Sequence, residues 1–470
     1  MECSVYSIAL NKTVKYFDGQ WQGMIAASDG ACYFGASTHS PLHGSSFLKF
    51  EPATKELTVL AEDLTHTCGE DLINTPPQGK IHSPIVEFDG WLYFTTHLSN
   101  YWESAMDKYT GAHVLGYELS TGKFRDFGVI RERYTIYSAI NVDKINRKLY
   151  VFVVPMANAD TQNDGSHLYQ IDIETGQKVD LGLAGQKERS ATYWFFIDDM
   201  GNCWFTLWKN HWPLSWDHGD LYRFNAKTKA IDCYKDVLPM GKLAPDGAPA
   251  PEKLKTERSW SWLETLPGNK RCLFTTGWLG GGDERLWIFD PSKNIENGEA
   301  FQPVAYIGST FLSLAYNNKD RLYFIQYKNL TDARTYWTEA TRDYAQADIR
   351  FDDNLHLRSI GVEPSSDNHV IDHGKIVDQD NRRLTMIESL AADDKGNVFM
   401  HGTWDALSAD EASHQYVWPD MTQYYIDLGF AEIAKTYKGV KYNSHTVMHR
   451  GQFFSHVDVS RKEGEPLIWK

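Results

Sequence analysis

The sequence predicts an all-β protein, a single β-propeller of four-stranded blades. Two observations lead to this fold class: one kind of β-hairpin recurs along the chain, and an incomplete unit stands near each end. The clearest hairpin is residues 80–97, where two β-rich runs flank the turn Asp89-Gly90. Asp-Gly between such runs is a strong hairpin signal, because glycine tolerates the positive φ of a tight turn.

Inner and outer hairpins alternate, which is the pattern expected of propeller blades. The outer hairpins have alternating apolar residues around a Thr-Gly or Thr-Lys turn, which is period-two strand behaviour. They are clearest at residues 46–60, 114–128, 167–182 and 220–234. The eight inner hairpins are predicted at residues 20–37, 80–97, 136–155, 189–208, 258–278, 310–327, 385–403 and 444–456.

The two chain ends are predicted to share one blade. Residues 5–17 have the pattern of an outer unit with no inner hairpin before it, and the last inner hairpin has no outer unit after it. Residues 1–19 and 438–470 would therefore complete one blade, which closes the ring and removes its sheet edges. The count of inner hairpins predicts eight blades, with seven as the alternative, in one domain over residues 1–470.

Composition narrows the class of function. The chain is 42% hydrophobic with a net charge of -15, which suffices for a large core and argues against general nucleic-acid binding. An anionic substrate stays compatible, because a basic pocket can lie within an acidic surface. Neither a long apolar run nor a basic-then-apolar N-terminal segment is present. We therefore expect no membrane partner and a cytoplasmic location, or a secreted or periplasmic one if a signal peptide has been removed. We also expect a monomer.

Cysteine and motif patterns point to no particular chemistry. Six cysteines are scattered without a C-x-x-C pair, so we expect free, buried thiols and no disulfide framework. Phosphate-binding loops, serine-hydrolase elbows and H-E-x-x-H zinc motifs are absent. The spacings of His211 with His218 and of His445 with His449 suit a metal, but isolated histidine pairs are seldom ligands.

Polar and aromatic residues collect at one end of the predicted ring. The first strand of each inner hairpin begins, and its second strand ends, at the same mouth of the central channel. Candidate acid, base and charge-neutralising residues there are His82, His97, Tyr137, Arg189 and Arg258. Candidate substrate-contacting residues are Tyr193, Trp208, Trp260, Trp278, His401 and His445.

Each candidate also has a purely structural explanation. His82 could cap the start of a strand, and the tryptophans could pack between blades. Arg189 and Arg258 follow Glu188 and Glu257 directly, and a local ion pair is a common arrangement for arginine. The repeat nevertheless favours a shared site, because it brings several of these residues into neighbouring blades.

The chemistry that fits this set is β-elimination next to a carboxylate. An arginine fork neutralises the carboxylate of a uronic acid, which makes the proton on C5 removable. A histidine or a deprotonated tyrosine then takes that proton, and a second histidine or tyrosine protonates the leaving O4. Carboxylate pairs of the kind used by glycoside hydrolases are not evident at this end, with Asp283, Glu284 and Asp405 as weak candidates.

The segment His-Ser-Pro-Ile…Tyr-Phe-Thr-Thr-His at residues 82–97, Tyr-Ser at 137–138 and the arginines of later blades resemble the β-propeller polysaccharide lyases. These are the ulvan lyases and the L-rhamnose-α-1,4-D-glucuronate lyases. The resemblance implies eliminative cleavage at C4 of a rhamnose-linked glucuronate or iduronate. It also implies that His82, His97 and Tyr137 form the acid/base group and that Arg189 or Arg258 is the neutraliser.

The resemblance implies no cofactor for the chemistry, although members can carry a structural divalent metal, calcium or zinc, whose ligands the sequence does not identify. Two features depart from the family pattern. The family has seven blades, and residues 153–158 lack an arginine that some members carry. Two other classes stay open: a propeller that binds glycans or proteins without catalysis, and a propeller hydrolase or lactonase with a carboxylate cluster and calcium in its channel.

Overall fold

Four-stranded antiparallel sheets dominate the structure, which is a computed structural model. The residues that it describes are 2–14, 17, 19–20, 22–38, 40, 43–72, 75–99, 108–136, 140–155, 164–184, 189–209, 219–239, 258–276, 284–308, 310, 313–326, 355–362, 370–404 and 451–460. All structural statements below concern these residues. Helix is limited to α1 (Leu64–Thr67) and one 3-10 turn (Leu10–Lys12).

The first three blades follow one another along the chain. Each sheet runs from an inner strand at the channel to an outer strand at the rim, and a short extra strand, β10, joins the third sheet. The strands are β2 (Met24–Ala26), β3 (Cys32–Ala36), β4 (Ser46–Glu51), β5 (Glu56–Ala61), β6 (Val86–Phe88), β7 (Trp91–Thr95), β8 (His113–Glu118), β9 (Phe124–Val129), β10 (Tyr134–Thr135), β11 (Ile140–Asp143), β12 (Lys148–Pro155), β13 (His167–Asp172) and β14 (Lys178–Leu183).

The remaining blades repeat this order, and the N-terminal strand β1 (Glu2–Ala9) joins the last one. Their strands are β15 (Arg189–Ile197), β16 (Cys203–Lys209), β17 (Leu221–Phe224), β18 (Ile231–Tyr234), β19 (Trp260–Thr265), β20 (Cys272–Thr276), β21 (Glu284–Phe289), β22 (Phe301–Gly308), β23 (Leu314–Tyr316), β24 (Arg321–Gln326), β25 (His356–Gly361), β26 (Ile371–Asp378), β27 (Leu384–Ala392), β28 (Asn397–Trp404) and β29 (Gly451–Asp458).

The described strands form seven blades, so the predicted count of eight is wrong and the alternative count of seven is right. The predicted hairpin at 444–456 does not start a blade, because β29 pairs with β28 and is the third strand of the blade that β27 begins. Residues 405–450, which lie outside the described residues, separate β28 from β29. A strand that follows so long a segment cannot be assigned to its blade from its own pattern, since inner and outer strands share the same periodicity.

The predicted closure by both chain ends is confirmed. β1 pairs antiparallel with β29, with Tyr6 opposite His456, and completes the seventh blade as its outer strand. Its first half also pairs parallel with β26 of the sixth blade, with Glu2 opposite Lys375, which joins the two blades into one eight-stranded sheet. The inner strand β27 contacts both β23 and β2. The N-terminal strand therefore closes the ring.

Aromatic rings fill the interfaces between blades. Phe47 of blade 1 stacks on Phe94 of blade 2 with ring centroids 4.6 Å apart. Phe34 of blade 1 stacks on Phe454 of blade 7, also at 4.6 Å. Offset stacking of buried rings contributes beyond the burial of their apolar area. The aromatic content of the chain is thus used largely to hold neighbouring blades face to face.

The prediction of free, buried cysteines is confirmed, except for the burial of one residue. All six cysteines are free, and five are buried, whereas Cys233 is exposed. Among the described residues, no helix has the length and apolar composition needed to span a bilayer.

Candidate active site

A central channel of about 570 Å³ runs between the inner strands of all seven blades. We call the end at which these inner strands begin the upper mouth and the end at which they turn the lower mouth. Lys144 and Glu264 line the channel toward the lower mouth, where burial raises the pKa of the Glu264 carboxyl to about 7. The sequence-predicted candidates belong to the upper mouth.

Two histidines of blade 2 meet at the upper mouth because the segment before β6 is tied to the segment after β7. Lys80 and His97 form an antiparallel bridge, in which the Lys80 N–H donates to the His97 carbonyl at 3.1 Å and the His97 N–H donates back at 2.8 Å. The rings of His82 and His97 lie 5.4 Å apart between centroids, at 59°. Both side chains are buried.

The residue beside His82 is seated against two glycines of blade 1. Ile81 is fully buried, and a Cβ at Gly23 or Gly35 would lie 2.7 or 2.8 Å from its side chain. Such contacts are closer than packed atoms allow, so a larger residue at either position would push this segment away from the channel. Glycine at both positions therefore lets the segment that carries His82 approach the ring.

Tyr193 of blade 4 crosses the channel mouth and stacks on His82, with ring centroids 5.4 Å apart at 28°. The pairing of β15 with β16 shifts in register between Ala191 and Phe195. A register shift of this kind bends a strand and re-aims its side chains. Two imidazoles and one phenol, from positions over 100 residues apart, therefore form one contiguous cluster.

A threonine from blade 3 contacts the second histidine. Thr135 Oγ1 lies 2.5 Å from His97 Nδ1, and both residues are fully buried. A hydrogen bond to one imidazole nitrogen determines the ring orientation and which nitrogen carries the proton. Sequence reasoning missed Thr135, because nothing in the local pattern of residues 134–135 distinguishes a histidine partner from an ordinary strand residue.

Hydroxyl pairs surround the cluster. Thr95 donates to Ser83 Oγ at 2.8 Å. The same kind of pair joins the first two strands of blades 4 and 5, as Thr192–Thr206 at 2.9 Å and Ser261–Thr275 at 2.7 Å. These buried hydroxyls satisfy one another, which makes a polar wall without charge.

Sequence reasoning also missed Lys80, although this residue begins the hairpin on which the site prediction rests. Its exposed fraction is 1%, and lysine is seldom so fully buried. It lies two residues before His82 in the same segment. A cationic side chain is therefore buried in the segment that carries His82.

Arg258 also lies on the upper side of the ring, with its guanidinium already engaged. Its Nη1 donates to the Leu238 carbonyl at 2.7 Å, and its Nη2 forms an ion pair with Asp236. The guanidinium packs against Gly219, where a Cβ would lie 2.9 Å from the Arg258 Cζ. Arg258 therefore forms an ion pair with Asp236, and the predicted pair with Glu257 is not tested, because Glu257 lies outside the described residues.

Two predicted substrate-contacting residues occupy buried positions. Trp260 has an exposed fraction of 1% and packs on Phe274 and Phe289 in a core cluster. Its ring faces therefore serve packing between strands, and its predicted contact with a sugar stays a prediction. His401 is fully buried, and its Nδ1 lies 3.3 Å from the Glu388 carboxylate.

The remaining predicted positions are not tested by the structure. Tyr137, Trp278 and His445 lie outside the described residues, as do the side chains of Arg189 and Trp208. The backbone places Arg189 at the start of β15, four residues before Tyr193 and on the strand that bears it.

The upper-mouth cluster provides groups for proton transfer. An imidazole that is neutral accepts a proton, and a phenol or an imidazolium donates one. The described group with the ligand types of a metal site lies elsewhere, at the outer strands of blade 2, and consists of Cys68, His113 and Asp126.

No protein-family model matches the sequence, and no curated protein matches it. Solved structures that align with the chain include an oligogalacturonate lyase from Vibrio parahaemolyticus, with 11% sequence identity and a TM-score of 0.47, covering 97% of this chain and 92% of that one. Another is an oligogalacturonate lyase in complex with manganese, with 12% identity, a TM-score of 0.41, and coverage of 76% and 81%.

TolB from Acinetobacter baumannii also aligns, with 10% identity, a TM-score of 0.37, and coverage of 76% of this chain and 67% of that one. At such identities and TM-scores, these neighbours carry no argument about what this chain binds or does. Its function has to be argued from its own residues.

Proposed function

We propose that the protein is a carbon–oxygen lyase that cleaves a uronate-containing oligosaccharide or polysaccharide by β-elimination. The observation that carries the proposal is the contact of His82 with both His97 and Tyr193 at one mouth of the channel, each at 5.4 Å between ring centroids. Elimination needs a base for the C5 proton and an acid for the leaving O4. C5 and O4 are two bonds apart on the sugar, so adjacent side chains can reach both the C5 proton and O4.

The roles follow from the contacts of each ring. Thr135 fixes the orientation of the His97 ring through Nδ1, and an imidazole held in this way is suited to exchange a proton with the substrate. Tyr193 stacks on His82, so either group can serve as the partner acid. Tyr137, which the resemblance places in this group, stays a candidate for the same role.

Neutralisation of the uronate carboxylate is assigned to Arg189 or Arg258. Arg189 starts the strand that carries Tyr193. Arg258 would have to release the exposed Asp236 and form an ion pair with the substrate instead. A planar guanidinium is suited to this exchange, because it binds carboxylates bidentately.

The substrate class that we propose is a glucuronate or iduronate linked to rhamnose, taken from the resemblance of the segment at 82–97. The acidic chain would bind this anionic glycan as a monomer through a locally basic mouth. No cofactor enters the elimination, because the electron pair of the C5–H bond forms the C4–C5 double bond as the C4–O4 bond breaks.

The test is incubation with ulvan, rhamnosyl-glucuronate oligosaccharides and oligogalacturonate, while the ultraviolet absorbance of unsaturated uronate is recorded. A rise with a uronate glycan and none with a neutral glycan is expected, and mass spectrometry should show products that lack one water relative to hydrolysis. Binding without product would support a glycan-binding propeller, and saturated products would support a hydrolase. Either outcome would overturn the proposal.

The neutraliser is identified by a matched set of variants. Replacement of the responsible arginine, as Arg189→Lys or Arg258→Lys, should lower kcat strongly, because a point charge replaces a bidentate fork. Asp236→Asn is the control for the ion pair of Arg258, and it should leave turnover unchanged or raise it. Equal turnover in both arginine variants and the wild type would remove both arginines from the mechanism.

A further inference from the structure

We propose that the outer strands of blade 2 hold a zinc site formed by Cys68, His113 and Asp126, with Glu70 orienting the histidine. One sulfur, one nitrogen and one oxygen of the three ligands all lie within 4.8 Å of one another. The set comes from three separate elements: the end of α1, the start of β8 and the middle of β9. This proposal is independent of the function proposed above.

His113 shows which of its nitrogens faces the site. Its Nε2 lies 3.1 Å from Glu70 Oε1, and its Nδ1 lies 2.9 Å from Asp126 Oδ2. Glu70 also accepts hydrogen bonds from Thr110 and from Gln78 Nε2. With Glu70 as the acceptor of the Nε2 proton, Nδ1 of His113 is directed at Asp126.

Nδ1 of His113 and Oδ2 of Asp126 lie 2.9 Å apart, so a hydrogen atom lies between them when no metal is bound. His113, Asp126 and Cys68 each offer one ligand atom, and these atoms all lie within 4.8 Å of one another. A divalent cation that displaces the hydrogen would therefore be bound through sulfur, nitrogen and oxygen.

The donor set selects zinc. Thiolate and imidazole are preferred ligands of Zn²⁺ and poor ones for calcium or magnesium, which require oxygen. A histidine that ligates through one nitrogen and donates its other N–H to a carboxylate is the usual outer-shell arrangement of zinc sites, and Glu70 supplies that carboxylate. Asp126 is the exposed member of the set, so the fourth position can be taken by water.

Two other blades provide an internal comparison. His167 begins β13 and lies 3.1 Å from Asp180 Oδ2, and His356 begins β25 and lies 3.0 Å from Asp372 Oδ1. In each of the three blades the aspartate also accepts the N–H of the glycine two residues later. The pairing of this histidine with an outer-strand aspartate is therefore a repeated structural device.

Blade 2 differs from these two by its burial and its thiol. The side chain of His113 is 5% exposed, against 16% for His167 and 26% for His356. Among the described residues, the group of three possible metal ligands is the one in which Cys68 lies beside His113 and Asp126. The repeated pair explains why His113 and Asp126 are together, and it does not explain the buried cysteine beside them.

The site would tie the connection between blades 1 and 2 to the rim of blade 2. Cys68 and Glu70 belong to this connection, which continues to Gln78 and then to the segment that carries His82. Gln78 is fully buried and links Glu70 to the Gly111 carbonyl through its Nε2, with both distances 2.9 Å. A bound metal would therefore stabilise the connection that leads into the upper mouth.

The test is zinc binding by protein stripped with a chelator and kept reduced with a phosphine. Titration against a chromophoric zinc chelator should show one tight equivalent, and zinc should raise the thermal midpoint. Cobalt should give the near-ultraviolet absorption of a thiolate-bound ion. Cys68→Ala should lose this absorption and the tight equivalent, whereas Glu70→Gln should weaken zinc binding by roughly 10- to 100-fold.

Matched controls separate the site from general thiol or histidine binding. Cys233→Ala removes an exposed thiol, and His167→Gln removes the equivalent histidine of blade 3, so both should bind zinc as the wild type does. Cys68→Ala removes one sulfur atom only, and circular dichroism checks that it folds. Absence of zinc uptake by the stripped wild type, or equal affinity in Cys68→Ala, would overturn the proposal and leave an imidazolium held by two carboxylates.

Discussion

Blade 2 carries histidines at its inner and at its outer strands, and their surroundings differ. At the upper mouth, His82 and His97 contact each other, the phenol of Tyr193 and the hydroxyl of Thr135. At the rim, His113 lies between two carboxylates. Carboxylates on both nitrogens hold a proton or a metal in place, which stabilises the fold and prevents proton exchange at neutral pH. Rings and hydroxyls leave a histidine able to change its protonation state.

The largest expected effect is a difference in turnover between variants of an upper-mouth histidine and of a rim histidine. His82→Ala should lower kcat for a uronate glycan by roughly 100- to 10,000-fold, the range for loss of a general acid or base. The control is His167→Gln, whose histidine lies in a rim pair equivalent to that of His113 and should leave turnover unchanged. Ultraviolet absorbance of the unsaturated product measures both. Similar losses in the two variants would mean that the upper mouth has no special role.

The second largest effect is a difference in stability between variants of two rim pairs, those of His113 and His167. In the presence of a chelator, His113→Gln should lower the free energy of unfolding by about 3 kcal/mol, because Glu70 and Asp126 lose a shared cation in a buried setting. His167→Gln should cost about 1 kcal/mol or less, since its carboxylates are more exposed. Urea unfolding followed by tryptophan fluorescence gives both values. Equal losses would contradict the difference that we draw from burial.

A third environment predicts the opposite response of histidine to pH. His456 packs between Phe399 and Phe50, and burial lowers its pKa from 6.5 to about 4. The unfolded chain therefore binds the proton more tightly, so the stability from neutral His456 is complete above pH 6.5 and is lost as pH falls toward 4.

The measurement compares the wild type with His456→Gln, whose side chain does not titrate. The advantage of the wild type in unfolding free energy should shrink by about 2 kcal/mol between pH 7.5 and pH 5. An advantage that stays constant over this interval would show that His456 is not held neutral by burial.

The smallest expected effect concerns the orientation of His97. Thr135→Val removes the hydroxyl at 2.5 Å from Nδ1 while keeping the shape of the side chain. A few-fold loss of kcat and a displaced pH profile are expected, with KM unchanged, because Thr135 is fully buried and acts through His97. Thr135→Ser should restore the profile. A valine variant with the pH profile of the wild type would show that Thr135 only packs against the ring.

Prediction from the sequence succeeded where the signal is local. The hairpin turns, the pairing of the chain ends and the free thiols depend on residues close in sequence or on composition. The blade count failed at β29, because the distance from β28 removes the turn signal that would have joined them. The burial of Trp260 could not be predicted for a related reason, since a tryptophan at a strand start has the same pattern whether its ring faces a channel or a neighbouring sheet.

By itself, the sequence determined that this chain is a propeller whose first strand completes its last blade, because strand periodicity and turn residues act over a few positions. Only the tertiary structure decided that Tyr193 meets His82, that Thr135 holds His97, and that Cys68 and Glu70 meet His113. These contacts join residues up to 111 positions apart. They depend on how neighbouring blades and strands pack and, for Tyr193, on the register shift in β15, neither of which leaves a mark in the local pattern.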